Sequence, residues 1–196
     1  MEKNRLEAFS DGVIAIIITI MVLDLHIPHD TTFAALLQLW PIFLCYLLSF
    51  VYVGIYWNNH HHFYHATRRI DGRVLWANLH LLFWLSLIPF VTGWMGENHF
   101  QPLPVALYGA VLLMCSIAWW IMQQALLCLP GNRTRLAEAL GGDIKGKISP
   151  VCYLLAICLA WRLPWLSGLL YLAVALAWLI PDRRIECLLY GDGQPD

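Results

Sequence analysis

The sequence predicts an all-α integral membrane protein whose chain crosses the bilayer six times. Hydrophobic residues fill 60% of its 196 positions and charged residues only 13%, whereas a soluble domain carries roughly 25% charged residues. Six segments approach the length of about 20 mainly apolar residues that a helix needs to cross the hydrocarbon. The basic residues also separate onto the loops of one predicted side. These three observations together give the fold class.

The six predicted spans have soft ends and short connections. They cover residues 6–27, 33–63, 74–95, 104–129, 148–161 (with a short extension at each end) and 164–180. The second segment is longer than a span requires, so we expect its last turns to protrude or to tilt. Pro164 separates the fifth, shortest segment from the sixth, because proline starts a helix more readily than it continues one.

Polar and turn-forming residues mark the connections. Residues 29–32 offer a turn and helix N-caps for the second segment. Asp71-Gly72 and residues 96–102 separate the next segments. Within the polar stretch 131–147, residues 133–140 fit either a short surface helix or a solvated loop. We expect residues 1–182 to form one transmembrane domain and residues 183–196 a disordered cytoplasmic tail.

The placement of lysine and arginine predicts the orientation, because cytoplasmic loops carry an excess of basic residues. With the N-terminus inside, eleven of the twelve basic residues fall on cytoplasmic segments. These are Lys3, Arg5, Arg68, Arg69, Arg73, Arg133, Arg135, Lys145, Lys147, Arg183 and Arg184. Only Arg162 falls outside. A model with five or seven spans would scatter these charges, so we expect six spans with both termini in the cytoplasm.

Several classes of function find no support in the sequence. The net charge of −1 gives no reason to expect a nucleic-acid partner. The six cysteines form no C-x-x-C pair and lie mostly in apolar runs, which is typical of buried thiols, so we expect neither disulfides nor structural zinc. Acidic residues near the N-terminus and the lack of a cleavage site indicate a retained span, not a signal peptide. No P-loop, Rossmann pattern or nucleophile elbow is present, and we expect no enzyme and no cofactor.

One face of the first helix is apolar. With Ile16 at the centre of a helical wheel, Thr19, Ile20 and Leu23 all fall within about 60° of it, as do Phe9 and Gly12. Two interpretations of this stripe stay open on sequence alone. It is either a lipid or packing face, or the wall of a pore in which several copies form stacked apolar rings that gate by narrowing and dewetting.

Ser10 and Asp11 lie on the far side of the same helix, more than about 100° from the stripe. A carboxylate near the inner end of a span needs a partner, and an antiparallel second helix places its own end there. Asp11 is therefore expected to contact Trp57, Asn58 or the pair His60 and His61. Asn78 of the third helix is a further candidate for this group. Indole and imidazole N–H groups are suitable donors to a carboxylate.

The histidine run and Asp24 each allow more than one role. His61 and His65 have the i, i+4 spacing of a zinc site, but no H-E-x-x-H pattern or nearby cysteine accompanies them. Hydrogen-bonded or water-facing histidines at the inner interface are favoured over a metal or haem ligand. Asp24, about 80° from the stripe centre, is either a helix-end group in interfacial water or part of a carboxylate ring that concentrates cations.

The segment Arg5-Leu6-Glu7-Ala8-Phe9-Ser10-Asp11-Gly12 resembles the R-x-x-x-F-S-D signature of the transmembrane protein 175 family of potassium channels. The match continues to residues 23–25. It extends to the pattern of Tyr56, Trp57, His60 and His61 on the second helix, and to residues 75–89 with Asn78 on the third. The resemblance covers about the first half of the chain, while the second half is similar only in hydropathy. A single six-helix repeat is similar to the prokaryotic members of that family.

This resemblance implies a homotetramer in a prokaryotic plasma membrane whose first helices line a central pore. The family's apolar constriction corresponds to Ile16, Ile20 and Leu23, and its hydroxyl layer to Thr19. Ile20 departs from the pattern, because leucine is also usual there. The signature residues Arg5, Ser10 and Asp11 imply a packing network with the second and third helices and no place in the filter.

The sequence and the resemblance together predict a potassium-selective channel with a hydrophobic gate. No T-V-G-Y-G filter is present, so selection needs another device. The expected partners are further copies of the chain, membrane lipid and the permeant potassium ion. One rival is a proton channel or transporter that uses Asp11, Asp24 and the histidines as relay groups. A second rival is a membrane haem or metal protein that uses residues 60–65.

Overall fold

A computed structural model describes residues 3–67, 69–132 and 144–179 and has eight α-helices in these ranges. The helices are α1 (Lys3–Leu23), α2 (Phe33–Leu37), α3 (Trp40–Ala66), α4 (Gly72–Ser86), α5 (Ile88–Glu97), α6 (Pro102–Leu127), α7 (Ile144–Ala160) and α8 (Pro164–Leu179). The prediction of an all-α chain is thus confirmed. The segment 133–140 and the tail 183–196 lie outside the described residues.

The described part of the chain has four helical spans long and apolar enough to cross a membrane. They are α1, α3, α6 and the unit Gly72–Glu97 that joins α4 to α5. The last two predicted spans correspond to α7 and α8, which have 17 and 16 residues. At 1.5 Å per residue these helices are about 26 and 24 Å long, short of the roughly 30 Å of a bilayer core.

The prediction that residues 33–63 form one helix is wrong. The chain forms α2 first, capped by the Thr32 hydroxyl, which accepts a hydrogen bond from the Ala35 N–H at 3.2 Å. It then breaks at Gln38 and Leu39 before α3 begins. Pro41 explains the break, because it lacks an N–H and its ring would clash with the carbonyl four residues earlier. At its other end, α3 continues three residues beyond the predicted limit, to Ala66.

The third predicted span is also interrupted. Asp71 caps α4 by accepting a hydrogen bond from the Val74 N–H at 3.0 Å. The helix ends at Ser86, and α5 begins two residues later, at Ile88, with Pro89 in its first turn. Proline again explains the joint, because it cannot donate the hydrogen bond that would continue the ladder. Hydropathy is continuous across both joints, so the apolar pattern does not reveal them.

The helices pack at close range around α6. Helix α6 contacts α4, α5, α7 and α8, while α1 packs against α3, α4 and α5. Two glycines permit close approach: a Cβ at Gly96 would lie 2.7 Å from the Ile42 Cα, and one at Gly109 would clash with the Tyr171 hydroxyl. Small residues at such contacts are typical of membrane helices, where tight packing takes the place of the hydrophobic effect.

A buried hydroxyl cluster joins α3, α5 and α6. The Thr92 hydroxyl donates to the Ile88 carbonyl at 2.6 Å, and Ser49 Oγ lies 2.6 Å from Thr92 Oγ1 and 2.9 Å from the Tyr108 hydroxyl. Because each hydroxyl has one proton, Ser49 donates to Thr92 and Tyr108 donates to Ser49. The chain of bonds satisfies every member inside the bundle, as a low-dielectric environment requires.

Candidate functional site

Helix α1 has one buried and one exposed face, and it contains most of the predicted site residues. Its buried residues are Leu6, Ser10, Ile14, Ile17 and Met21. The exposed face includes the predicted stripe: Ile16 is 58% exposed, Ile20 44% and Leu23 78%. Thr19 is also exposed, and its hydroxyl donates to the Ile16 carbonyl at 2.9 Å. The single chain therefore leaves this apolar stripe uncovered.

The stripe borders an open groove of about 520 Å³ that α1 forms with the joint between α4 and α5. Ile16 and Ile20 line the groove from α1, and Pro89 and Phe90 line it from α5. Asp24 lies at the end of the helix and lines the same groove. The Asp24 carboxylate therefore lies beside the apolar stripe. This position agrees with the helical wheel, which placed Asp24 at the edge of the stripe.

A buried polar network fixes the opposite face of α1. The Ser10 hydroxyl donates to the Leu6 carbonyl at 2.9 Å, so its oxygen is left to accept, and the Asn78 amide nitrogen donates to it at 2.9 Å. Asn78 Oδ1 in turn lies 2.9 Å from His60 Nε2. All three residues are at most 1% exposed. The network joins α1, α3 and α4 through one amide.

The direction of each bond in this network assigns the His60 tautomer. Asn78 Oδ1 can only accept, so His60 Nε2 has the proton and Nδ1 of the neutral ring has a lone pair. Tyr64, stacked on His60 with ring centroids 4.4 Å apart, reaches the same Asn78 oxygen at 3.5 Å. Buried His60 Nδ1 has no hydrogen-bond partner among the described residues.

A second, more exposed group of contacts lies at the start of α1. The Trp57 indole donates to Asp11 Oδ1 at 3.1 Å, and Glu7 Oε1 lies 3.3 Å from His61 Nδ1. The His61 ring stacks on Trp57 with centroids 6.1 Å apart. Of the partners considered for Asp11, the structure brings Trp57 to it. The histidines contact other groups: His60 bonds Asn78, and His61 faces Glu7.

Two residues of the signature do not join either group. Arg5 and Phe9 are both exposed, and Arg5 makes no hydrogen bond or ion pair with any residue the structure describes. The packing role that the resemblance implied for Arg5 stays a prediction. No three His, Cys, Asp or Glu side chains converge within the ranges 3–67, 69–132 and 144–179. His61 and His65 stack with centroids 6.2 Å apart, without a third candidate ligand there.

The outer end of α1 contains an acidic pair that sequence reasoning missed. His26 Nδ1 donates to the Asp24 carbonyl at 2.8 Å, and its Nε2 lies 3.7 Å from Glu97 Oε1. Burial raises the pKa of the Asp24 carboxyl, Glu97 raises it further, and His26 opposes the shift. No sequence signal links Glu97 to Asp24, because Glu97 ends α5 and Asp24 follows α1, two helices that only the fold brings together.

Comparisons with known proteins agree with this geometry. Residues 5–89 match the family model described as endosomal/lysosomal potassium channel TMEM175. A potassium channel of Chryseobacterium sp. (strain P1-3) is 50% identical over 186 residues, which cover 95% of this chain and 97% of the relative. A potassium channel of Chamaesiphon minutus is 30% identical over 178 residues, covering 85% and 88% of the two chains.

One solved structure and one vertebrate protein extend the comparison. The crystal structure of a lysosomal potassium-selective channel TMEM175 homologue from Chamaesiphon minutus superposes with a TM-score of 0.81 at 28% identity, over 93% of this chain and 98% of that one. The human endosomal/lysosomal proton channel TMEM175 is 36% identical over 96 residues, which cover 42% of this chain and 19% of that protein.

Proposed function

This chain belongs to the TMEM175 family, and on that premise we propose that it is a potassium channel in which the first helices of several identical copies surround the ion pathway. The similarity to potassium channels extends over nearly the whole chain. The expectation that the chain is not an enzyme is confirmed by its membership in an ion-channel family. It is a multi-pass membrane protein with bacterial relatives.

The observation that carries the proposal for the pore wall is the contrast between the two faces of α1. Ser10 is fully buried and bonded to Asn78, which fixes the rotation of the helix within its own subunit. That rotation leaves Ile16, Ile20 and Leu23 facing away from the protein. A helix cannot enclose a pathway alone, whereas symmetric copies around an axis can form stacked rings.

The proposed constriction selects among cations by the free energy of dehydration. Rings of Ile16, Ile20 and Leu23 offer an ion no oxygen ligands, so the ion passes them only after losing part of its water shell. Potassium holds its water less tightly than sodium, so it crosses the rings at a lower cost. The Thr19 hydroxyl supplies the one layer of oxygen between them. A ring that narrows further loses its water and closes the pathway.

The assembly we propose is a homotetramer with six spans per chain and both termini in the cytoplasm of a prokaryotic cell. The number four depends on family resemblance alone. Helices α7 and α8 are the fifth and sixth spans, and a bilayer accommodates short spans by local thinning. Support for their spanning role comes from their packing on α6, which has 26 residues and crosses fully.

Proton conduction is the second candidate function. Vertebrate relatives are named proton channels, and His60 has a buried ring nitrogen with no partner among the described residues. His60 lies on the anchored side of α1, away from the stripe. A proton pathway through it would therefore differ from the proposed potassium pathway.

Flux measured from purified protein in liposomes tests the function. We expect a potassium gradient to drive a current whose reversal potential follows potassium and changes little with a pH gradient. A reversal potential that follows the pH gradient would favour the proton pathway. A protein that reconstitutes as a tetramer and conducts neither ion would refute the channel.

Crosslinking tests the assembly separately from the ion. A cysteine placed at Ile20, in a background without the native thiols, is expected to form disulfides between subunits. A cysteine at Ile18, about 160° from Ile20 on the helical wheel, is the matched control and is expected to stay unlinked. If the cysteine variant at Ile20 forms no disulfides between subunits and elutes as a monomer in mild detergent, a central pathway formed by α1 is excluded.

A further inference from the structure

A cavity of about 210 Å³ lies on the side of the bundle away from α1. It is bounded by residues 52–59 of α3, 116–124 of α6 and 146–153 of α7, and by Trp178 of α8. None of the lining residues in the described ranges is acidic, and none belongs to α1. The charge pattern predicts that this end of the bundle faces the cytoplasm. The cavity is therefore separate from the groove beside the apolar stripe.

Two residues with hydrogen-bond donors in this cavity have no partner among the residues that the structure describes. Gln123 is only 6% exposed, yet its amide makes no hydrogen bond with any described residue. Lys147 lines the same cavity and forms no ion pair or hydrogen bond within the described ranges. The Gln123 amide has two N–H donors and the Lys147 ammonium has three, and both residues line the open cavity. The pair is suited to an acceptor that enters from outside.

Tryptophan forms the apolar part of the cavity. Trp119 and Trp120 line it from α6, and Trp120 remains 59% exposed. The Trp178 indole N–H is already bonded to Ser149 Oγ at 2.9 Å, so its ring contributes an apolar surface and no donor. Tryptophan at the end of a membrane-length helix is typical of the zone where lipid head groups meet hydrocarbon.

We propose that this cavity binds the phosphate head group of an anionic phospholipid. The phosphate lies against Lys147 and the Gln123 amide, and the start of the acyl chains follows Trp119 and Trp120 towards the bilayer. Among the described lining residues the charged group is the Lys147 ammonium, which favours an anion over a cation. The volume is below the 300–1,000 Å³ typical of drug-sized ligands, which suits a head group whose chains stay in the membrane. The exposed Trp120 favours a lipid over a soluble anion.

Native mass spectrometry of the full-length protein, loaded with equal amounts of phosphatidylglycerol and phosphatidylcholine, tests the site. We expect the wild type to retain phosphatidylglycerol preferentially. Lys147→Gln removes the charge that attracts the phosphate, Gln123→Leu removes a hydrogen bond to it, and each is expected to weaken retention about ten-fold. Arg73→Gln, which removes an exposed cation outside the cavity at the same end of the bundle, is the matched control and is expected to behave like the wild type.

A second variant and a second probe keep the test decisive if a polar substitution unfolds the protein. Ser116→Phe fills the cavity from α6 and leaves both donors in place, and we expect it to lose the same lipid. Brominated phosphatidylglycerol is expected to quench the wild-type fluorescence more than it quenches Trp120→Phe. Equal retention in all folded variants, or equal quenching in Trp120→Phe, would overturn the proposal. If millimolar inorganic phosphate displaces the lipid, the cavity is a site for a soluble anion, and the proposal of a lipid ligand is overturned.

Discussion

The two faces of α1 differ in how their environment is specified. On one face, hydrogen bonds of 2.9 Å link Ser10, Asn78 and His60, and the fold of one subunit completes the set. On the other face, Ile16, Ile20 and Leu23 are 58%, 44% and 78% exposed in the described part of the structure. A polar group needs a set number of hydrogen-bond partners in set directions. An apolar group has no such requirement and needs only to be shielded from water. The hydrogen bonds of the buried face (the anchored face) fix the rotation of α1. They therefore determine the direction in which the exposed face (the free face) points.

The largest effect we expect comes from removing the centre of the anchor. Asn78→Leu leaves the His60 N–H and a Ser10 lone pair without a partner in a buried site. Each such group costs about 1–3 kcal/mol, so unfolding becomes easier by about 2–6 kcal/mol. Thermal unfolding in detergent measures this loss. Asn98→Ala, which removes an exposed amide, is the control, and an equal loss in both would show that the network does not anchor α1.

Substitution on the free face is expected to change conduction and leave stability intact. Ile20→Asn and Leu23→Asn wet the proposed rings, and a barrier lowered by about 1.4 kcal/mol raises conduction ten-fold while potassium preference falls. Currents and bi-ionic reversal potentials measure both effects. Val22→Asn, at a residue that is 45% exposed but about 120° from Ile16, is the control. Unchanged permeability ratios in folded tetramers would place the pore elsewhere.

The hydrogen bond between Asp11 and Trp57 tests the comparison of the two faces of α1 further. Like the Ser10 network it links α1 to another helix, but it is only partly buried. Asp11→Ala is expected to lower stability or alter gating without changing ion preference. Trp57 is 45% exposed, so water replaces part of the lost bond and we expect about 1 kcal/mol. A double-mutant cycle with Trp57→Phe isolates the pair. A stable Asp11→Ala channel with switched preference would instead show that Asp11 faces the ions.

The smallest effect is expected at Asp24. Asp24→Asn removes one carboxylate near the proposed mouth, and we expect less than about a two-fold drop in current, visible at low salt and screened at high salt. Because its pKa is raised, the carboxyl loses its charge at a higher pH than an ordinary aspartate. Acidification of the outer side is expected to reduce the wild-type current and spare that of Asp24→Asn. If acid reduces the currents of the wild type and of Asp24→Asn equally, Asp24 does not contribute to the ion pathway.

The sequence predicted the residues of the anchor better than their connections. Ser10, His60 and Asn78 were identifiable because a polar residue in an apolar helix needs a partner. Their pairing depends on the rotation of three helices, which periodicity does not supply. The cluster of Ser49, Thr92 and Tyr108 was missed, although the same reasoning applies to it.

The helix ends illustrate a related limit. Hydropathy located the apolar segments, yet it does not distinguish a continuous helix from two helices joined at a proline. The joints before Pro41 and Pro89 required steric reasoning at single residues. The exposed stripe was predicted as one face, but the proposal that further copies of the chain cover it concerns an assembly, which helical periodicity does not specify.

The joint at Leu87 has a mechanical consequence. The first half of α1 is bonded through Ser10 to Asn78 on α4, while Asp24 beyond its other end lies beside Gly93 on α5. Helix α1 is thus hydrogen-bonded to α4 in its first half, and the residue that follows it lies close to α5. A change in the angle between α4 and α5 would therefore tilt α1. In the assembly proposed above, the same tilt in every subunit would change the diameter of the ion pathway.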